Sequence, residues 1–439
     1  MALASTPEPK IATDVRRHIL QLADQCVMCG LCIPQCPTYR IGRQENESPR
    51  GRIALVRGLA SGELQPTPTL LGHLDHCLGC MSCENACPSE VDYAGLLIST
   101  RELQREIQPL RLARRLLLGV LARRGRLNFA LRLGRIPGVL AVLRSRIGRA
   151  FFKRVGMPAL AQALPPLPAP RVWAEIVSPA FQSRGRIGLF LGCVASVFDQ
   201  DTHTASITLL TALGYEVVMP PAQACCGALA RHAGLPSDDS TTRHAFLDSN
   251  VDTVLVSASG CFGSLRDSVF ADSKVHVREI HEFIASDTNL DRLQFKSLPQ
   301  IAALHTPCTQ ANVAKGQGAI AALLARIPAL RVMPLPSEPR CCGGAGSYFL
   351  EQPQIAGPLR SEKLQQTLAL TPDVLLTSNI GCRIYLGNGL RQQGEVLPVR
   401  HPLSLLAQQL DVGKTADDLI AQRRTPTSMA DHTLANRPC

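Results

Sequence analysis

Two cysteine runs with the same spacing lie near the amino end of the chain. They are Cys26-x2-Cys29-x2-Cys32-x3-Cys36-Pro37 and Cys77-x2-Cys80-x2-Cys83-x3-Cys87-Pro88. A cysteine at every third position of a tightly wound backbone places three soft thiolates around one corner of a cluster, and this run followed by proline is a known signature of [4Fe–4S] centres. Because the run occurs twice, the sequence predicts two clusters.

The fourth ligand of each cluster has to come from outside its own group of three cysteines. In two-cluster proteins the cysteine before the proline ligates the other cluster. The predicted ligand sets are Cys26, Cys29, Cys32 and Cys87 for cluster 1, and Cys77, Cys80, Cys83 and Cys36 for cluster 2. Structural zinc is the alternative, since zinc also binds four thiolates from CxxC pairs. A zinc knuckle uses two cysteines, however, whereas each run here carries four.

A second group of cysteines recurs later in the chain, in the same order in two repeats. Each repeat has a Cys after its first predicted strand, a Cys-Cys-Gly about thirty residues later and a Cys after its last predicted strand. The sets are Cys193, Cys225, Cys226 and Cys261, and then Cys308, Cys341, Cys342 and Cys382. Since ligands of α/β sheets gather at the carboxyl ends of strands, each set is expected to share one crevice.

Four thiols are enough for a further cluster, and the second repeat is the better candidate. Its Cys-Cys-Gly continues as Gly344-Ala345-Gly346, which lets the backbone approach a cofactor closely, whereas Ala228-Leu229 follows in the first repeat. The alternative is that these cysteines are buried small hydrophobes. His203, His232, His281 and His305 are interpreted as packing or surface residues, although His305 is near Cys308 in sequence.

The elements that must position these residues define a multidomain fold. An α-helical two-cluster ferredoxin module is followed by two repeated α/β Cys-Cys-Gly domains, because strands alternate with helices from residue 186 onward. The predicted strands are 187–191, 215–219, 251–257, 301–304, 330–333 and 374–377. The predicted divisions are the ferredoxin-like domain 1–100, a basic amphipathic and Pro-rich linker 101–185, the Cys-Cys-Gly domains 186–298 and 299–412, and a disordered tail 413–439.

Positive charge is concentrated in the linker. Residues 101–171 hold sixteen Lys or Arg against two Glu, a net +14, so the rest of the 439-residue chain totals −3. Within it, the apolar stretch 116–122 between paired arginines is too short to cross a bilayer. As a helix it could lie on anionic lipid or on an acidic partner surface, or its leucines could pack on the neighbouring domains. Few aromatic residues accompany the arginines, which argues against nucleic-acid binding.

The cysteine usage also indicates a compartment. Seventeen cysteines arranged in metal-type clusters, behind a polar start without an apolar run, favour a reducing environment. We therefore expect a cytoplasmic protein, with peripheral association on the inner face of the cytoplasmic membrane through the linker.

Taken together, these motifs resemble the iron–sulfur subunits of bacterial glycolate oxidase. The wider family of proteins with two clusters and two Cys-Cys-Gly domains also includes subunits of glycerol-3-phosphate dehydrogenase and heterodisulfide reductase. The resemblance extends over about residues 20–410 and is weakest in the linker and the tail. Its specific segments are CPTY at 36–39, PRGR at 49–52, HLD at 73–75, CCG at 341–343 and NIGC at 379–382.

The resemblance implies two [4Fe–4S] clusters on the eight cysteines of the paired runs. It also implies a FAD-containing partner subunit that oxidises glycolate or another 2-hydroxy acid, and the quinone pool as electron acceptor. The chain itself would be the electron-transfer subunit, without catalytic residues for substrate oxidation. In agreement with this, none of the predicted strands is followed by the G-x-G-x-x-G of a dinucleotide site.

Two alternatives stay open at this point. One is an iron–sulfur subunit of a glycerol-3-phosphate dehydrogenase. The other is a thiol or heterodisulfide reductase, a class in which each repeat ends in CxxC and supplies five thiolates. Here Ser264 and Tyr385 stand at those last positions, so a five-thiolate cluster cannot form from these motifs.

Overall fold

The computed structural model describes residues 10–154, 157, 160, 166–169, 171–237, 239–336, 340–411 and 413. The predicted disordered tail, apart from its first residue, lies outside this part of the chain. Residues 10–154 are helical with short connections, and two sheets with flanking helices follow from residue 176. Within these ranges, no helix combines the length and the apolar character needed to cross a bilayer.

The helices that carry the two cysteine runs pack around one apolar core. Ser48 Oγ accepts a hydrogen bond from Gly51 N at 3.0 Å and so caps the helix that ends at Gly62, with φ +83°. Thr67 caps the next helix in the same way. The helices are Lys10–Ala23, Pro37–Gly42, Pro49–Ser61, Pro68–Asp75, Ser82–Asn85 and Tyr93–Ile107.

The linker forms a set of short helices with two different faces. Leu118 and Leu127 are buried, as expected of a connector that packs on its neighbours. Leu116 and Phe129 are 61% and 63% exposed on the outer side. The helices are Leu112–Ala122, Arg124–Gly134, Val139–Arg144 and Arg146–Arg154. The preceding helix, Tyr93–Ile107, runs across the predicted boundary at residue 100, so that boundary lies inside a helix of the ferredoxin module.

The first repeat contains a five-stranded sheet of order β1-β3-β2-β4-β5, in which only β1 is antiparallel to its neighbour. The strands are β1 Ile176–Val177, β2 Gly185–Phe190, β3 Tyr215–Val218, β4 Thr253–Val256 and β5 His276–Glu279. The helices are Ala195–Phe198, Gln200–Ala212, Ala228–Arg231, Ser240–Leu247, Ser259–Ser264 and Ile280–Ala285.

The second repeat contains a parallel four-stranded sheet of order β7-β6-β8-β9. The strands are β6 Ile301–His305, β7 Arg331–Pro334, β8 Val374–Thr377 and β9 Val399–Arg400. The helices are Gln317–Leu324, Tyr348–Glu351, Pro353–Ala369, Ile380–Gln392 and Pro402–Gln409.

The two repeats share one hydrophobic core. Helix Gln200–Ala212 of the first repeat packs against helix Pro402–Gln409 of the second, and the largest group of buried side chains contains residues of both. The six predicted strands are confirmed as β2, β3, β4, β6, β7 and β8. Strands β2, β3 and β4 are parallel in the first sheet, as are β6, β7 and β8 in the second. Their carboxyl ends therefore meet at one edge of each sheet, and all eight cysteines of the repeats follow such ends.

Candidate metal centres and electron-transfer site

The first cysteine run lies at the surface of the ferredoxin module. Cys26, Cys29, Cys32 and Cys87 line one cavity, which Cys83 also reaches. Cys29 is exposed. The neighbouring apolar side chains Val27, Met28 and Leu31 are 68%, 45% and 59% exposed. The structure thus brings together the four residues predicted for cluster 1, on the side of the module that a partner protein can reach.

The second run is buried. Cys36, Cys77, Cys80 and Cys83, the residues predicted for cluster 2, line another cavity, and each is 9% exposed or less. These donor sets fit the two clusters chemically, since each cavity gathers four thiols and soft thiolates are the ligands of iron–sulfur centres. The assignment of each cysteine to a cluster remains a prediction.

A buried ion-pair network supports the second run. Arg52 is 3% exposed, donates to the Glu47 carbonyl at 2.7 Å and to Cys36 Sγ at 3.7 Å, and pairs with the Glu47 carboxylate. His73 and His76 both contact that carboxylate, at 2.6 and 2.8 Å. Burial alone would raise the pKa of Glu47, but the bonds from His76 and His73 and the charge of Arg52 outweigh it and lower that pKa. The network therefore places a fixed cation beside the Cys36 sulfur.

The first Cys-Cys-Gly site gathers its four thiols around a polar cluster. Cys193 Sγ lies 3.5 Å from Cys225 Sγ, and hydrogen bonds from the Cys193 and Cys226 thiols lower the pKa of Cys225 to about 3. Arg231 donates to the Cys226 carbonyl at 2.6 Å and also bonds the Asp239 carboxylate and the Ser264 hydroxyl. Ser264, at the position where a fifth thiolate would stand, is thus held by an arginine.

In the second Cys-Cys-Gly site, three of the four cysteines are buried. Cys341, Cys342 and Cys382 are 4%, 2% and 6% exposed, and Cys341 forms a thiol hydrogen bond with Cys308. Tyr385 fills the place of the fifth thiolate. It packs on Phe349 with ring centroids 4.7 Å apart, and the guanidinium of Arg360 lies over its ring at 4.7 Å.

Glycine is required in both Cys-Cys-Gly loops. Gly227 and Gly343 adopt φ of +78° and +86°, a region that other residues rarely adopt. A Cβ on Gly343 would also approach the Ala356 carbonyl to 2.8 Å. In each loop the glycine nitrogen donates to the first of the two thiols at 3.4 Å. The motif is therefore a backbone turn that directs both thiols inward.

His305, the last residue of β6, also reaches the second site. It is fully buried, its Nδ1 lies 2.9 Å from Thr377 Oγ1, and its donor nitrogen lies within 4.8 Å of Cys342 Sγ and Cys382 Sγ. Burial and the charge of Lys363 lower the pKa of His305 to about 3, so its ring is neutral. The interpretation of His305 as a packing or surface residue is therefore incomplete, since the ring also lies beside two thiols of the second site. Its proximity to Cys308 in sequence was the signal for this position.

The second cysteine-rich domain lies directly against the second cysteine run. Asn312 donates to the Cys80 carbonyl at 2.7 Å and to Ser82 Oγ at 2.9 Å. Tyr348 OH donates to the His76 carbonyl at 2.9 Å. Cys80 and Cys341 belong to one buried cluster, and burial together with the nearby Cys341 raises the pKa of Cys80 to about 12. The predicted cluster 2 site and the second Cys-Cys-Gly site are therefore neighbours.

The first cysteine-rich domain reaches the same run through an arginine. Arg101 is 8% exposed, donates to the Cys77 carbonyl at 2.8 Å, and contacts His232 Nδ1 at 2.8 Å. An arginine side chain is a donor only, so His232 Nδ1 accepts this hydrogen bond. Sequence reasoning missed Arg101 and Asn312, since a single Arg or Asn acquires this role only through residues distant in the chain.

A cavity of about 520 Å³ lies between the two cysteine-rich domains and the linker. Both sets of four Cys-Cys-Gly cysteines line it, as does Cys77. The linker contributes the apolar wall: Leu117, Val120, Leu121, Leu127, Leu131 and Phe152. The cavity thus joins a row of thiols to a surface suited to an apolar molecule.

Comparisons with known proteins agree with this architecture. Residues 22–91 match the family model of the 4Fe-4S dicluster domain, and residues 187–266 and 302–387 match that of the cysteine-rich domain. These matches confirm the predicted fold class, a two-cluster module followed by a repeated α/β domain.

Full-length relatives extend the comparison. The chain is 29% identical to the glycolate oxidase iron-sulfur subunit of Escherichia coli, over 88% of this chain and 94% of that protein. It is 28% identical to the probable glycolate oxidase iron-sulfur subunit of Bacillus subtilis, over 84% and 89%. One of the subunits of the fumarate reductase (CoM/CoB) of Methanothermobacter marburgensis is 27% identical over 48% of this chain and 43% of its own. The chain is therefore a homologue of glycolate oxidase iron-sulfur subunits and an iron–sulfur electron-transfer protein.

Proposed function

We propose that the chain transfers electrons from a FAD-containing dehydrogenase subunit, which oxidises glycolate or a related 2-hydroxy acid, to a quinone-type acceptor. The names of the full-length relatives support the substrate class. The observation that carries the proposal is the order of the sites: an exposed cysteine run, a buried run, and then the second Cys-Cys-Gly site at an apolar cavity.

In this proposal Cys26, Cys29, Cys32 and Cys87 hold one [4Fe–4S] cluster, and Cys77, Cys80, Cys83 and Cys36 hold the other. Such clusters accept and release one electron at a time, so two of them can divide the two-electron output of a flavin. The four thiols of the second repeat form a third metal-binding site. They are Cys308, Cys341, Cys342 and Cys382. The first repeat, with Cys193, Cys225, Cys226 and Cys261, is the weaker candidate because Arg231 and Ser264 occupy its surroundings.

The exposed patch of Val27, Met28 and Leu31 is the proposed docking surface for the flavoprotein. Electrons must be received where a partner can approach the metal ligands closely, and Cys29 is the exposed ligand of the eight. The cavity lies at the other end of this series of cysteine sites. Its volume and its leucine wall suit the apolar ring of a quinone.

The linker supports access from a lipid surface. Its outer face exposes Leu112, Leu116, Ile147 and Phe151 by 59% or more, between arginines on the same helices. Apolar side chains among cations are the pattern of helices that lie in an anionic membrane interface. We therefore include peripheral attachment to the cytoplasmic membrane in the proposal.

A cavity-filling variant tests the acceptor site. Leu121→Trp places a large ring in the cavity wall, while Leu116→Trp, on the exposed face of the same helix, is the matched control. With the reconstituted complex, we expect Leu121→Trp to lower glycolate-driven reduction of a short-chain quinone at least tenfold while reduction of a soluble one-electron dye at the exposed run continues. Equal quinone reduction by the two variants would contradict an acceptor site in this cavity.

The single chain provides a second test. Without its partner it should contain iron and acid-labile sulfide but no flavin, and it should not oxidise glycolate. The thiol-reductase alternative is not favoured, because Ser264 and Tyr385 place oxygen and an aromatic ring where the fifth sulfur would stand.

A further inference from the structure

His305 has an unfilled donor position in the core of the second cysteine-rich domain. The side chain is 0% exposed, Nδ1 is engaged by Thr377 Oγ1 at 2.9 Å, and Nε2 has no hydrogen-bond partner among the described residues. A buried polar atom without a partner destabilises the fold. Thr377 therefore fixes the ring through Nδ1, and Nε2 is the nitrogen that remains for a further partner.

The neighbours of the His305 ring are thiols. The His305 donor atom, Cys342 Sγ and Cys382 Sγ all lie within 4.8 Å of one another. With bonds of about 2.0–2.3 Å, the donors of one tetrahedral ion lie roughly 3.3–3.8 Å apart, so a small inward shift would complete such a site. The terminal ligands of a cubane are more widely spaced because each binds a different iron. Among the described residues, the sulfurs of the two ferredoxin-type runs form no trio as compact as this one.

The first repeat has no counterpart of this arrangement. His305 is three residues before Cys308 and ends β6, whereas the residue three before Cys193, at the end of β2, is Phe190. Phe190 is 2% exposed and packs among apolar side chains. The nitrogen donor is therefore specific to the second repeat.

We propose that His305 Nε2, Cys342 Sγ and Cys382 Sγ bind a single divalent ion of the zinc or iron class. Thr377 acts as the outer partner that fixes the imidazole, as such groups do for histidine ligands. Cys342 and Cys382 line the 520 Å³ cavity, so the fourth position of the ion faces the cavity, and three protein ligands with an open fourth position is the arrangement of reactive zinc sites. The inference rests on the proposed metal site of the second repeat, but not on the identity of the acceptor.

Metal analysis of the full chain tests this proposal. The protein is purified without oxygen from zinc-supplemented cells, and iron, zinc and acid-labile sulfide are measured for the wild type, His305→Ala and His305→Cys. His203→Ala is the matched control, because His203 is a buried histidine of the first repeat and bonds the Leu191 carbonyl.

The wild type and His203→Ala should contain the eight irons and eight sulfides of two [4Fe–4S] clusters and one further ion. His305→Ala should lose only the further ion, and His305→Cys should retain it, since a thiolate can replace the imidazole. X-ray absorption at the zinc edge should show an imidazole shell in the wild type that sulfur replaces in His305→Cys. This spectrum decides the matter even if His305→Ala does not fold.

Three results would overturn the inference while leaving the proposed function in place: twelve irons with twelve sulfides, no further ion beside eight irons, or a further ion without an imidazole shell. Absence of iron and sulfide from every preparation would instead contradict the proposed function itself.

Discussion

The two cysteine-rich repeats share the order of four parallel strands and of four cysteines, yet their sites have different surroundings. In the first, Arg231, Asp239 and Ser264 form a polar cluster around the Cys-Cys-Gly turn. In the second, the buried side chains of His305 and Tyr385 lie beside the thiols. The repeat supplies the scaffold and the turn, whereas a few side chains outside the cysteine motif decide which chemistry the thiols can support.

The repeats also differ in what they contact. The second domain binds the backbone of the buried cysteine run through Asn312 and brings Cys341 next to Cys80. The first domain reaches that run through the side chain of Arg101. We infer that the second repeat takes part in electron transfer and that the first mainly completes the cavity and the shared core.

The largest expected difference is between cysteine variants. Cys80→Ser should remove one cluster, about half of the iron, and abolish transfer from the partner to the acceptor, because a cluster shell also cross-links its module. Cys193→Ser, the control in the first repeat, should retain all iron of the two clusters. Iron and sulfide analysis with the activity of the complex measures both. Equal iron loss in the two variants would remove the proposed distinction between the sites.

A smaller effect is expected from the two contacts with the buried run. Asn312→Ala should lower the free energy of unfolding by about 1–3 kcal/mol, since it leaves the Cys80 carbonyl without its donor, and should also slow electron delivery severalfold. Arg101→Leu should destabilise the chain to a similar extent with less effect on the rate. Thermal unfolding and stopped-flow reduction separate the two quantities. A greater loss of rate in Arg101→Leu would assign the transfer route to the first repeat.

The smallest effect concerns pH and should be alike in both repeats. Burial lowers the pKa of His203 to about 4, and that of His401 well below its ordinary value. A histidine held neutral in the folded chain contributes its full stability above about pH 6.5 and loses it as the pH falls, by up to about 1.4 kcal/mol per pH unit for each residue. Melting temperatures between pH 7.5 and 5.5 should therefore decrease, with a shallower slope in His203→Phe. A pH-independent melting temperature would contradict neutral burial.

Much of the architecture could be predicted because it is encoded locally. Ser48 before Pro49 specifies a helix start, short apolar runs specify the central strands, and the cysteine spacing specifies the metal-type runs. Strands β1, β5 and β9 were not predicted, since β1 and β9 have only two residues and β5 contains a single apolar residue, Val277. The contacts of Arg101 and Asn312 depend on folding of distant segments, and no local pattern could reveal them. His305 is near Cys308 in sequence, but its approach to Cys342 and Cys382 also depends on that folding.

The central claim is that the two runs exchange their fourth ligands and so hold two [4Fe–4S] clusters, one exposed and one beside the second cysteine-rich site. Paramagnetic resonance of dithionite-reduced single Cys→Ser variants tests it most directly. We predict that Cys36→Ser alters the same signal as Cys77→Ser, and that Cys87→Ser alters the same signal as Cys26→Ser. If Cys36→Ser instead alters the signal that Cys26→Ser alters, or if the reduced wild type has no such signals, the account is contradicted.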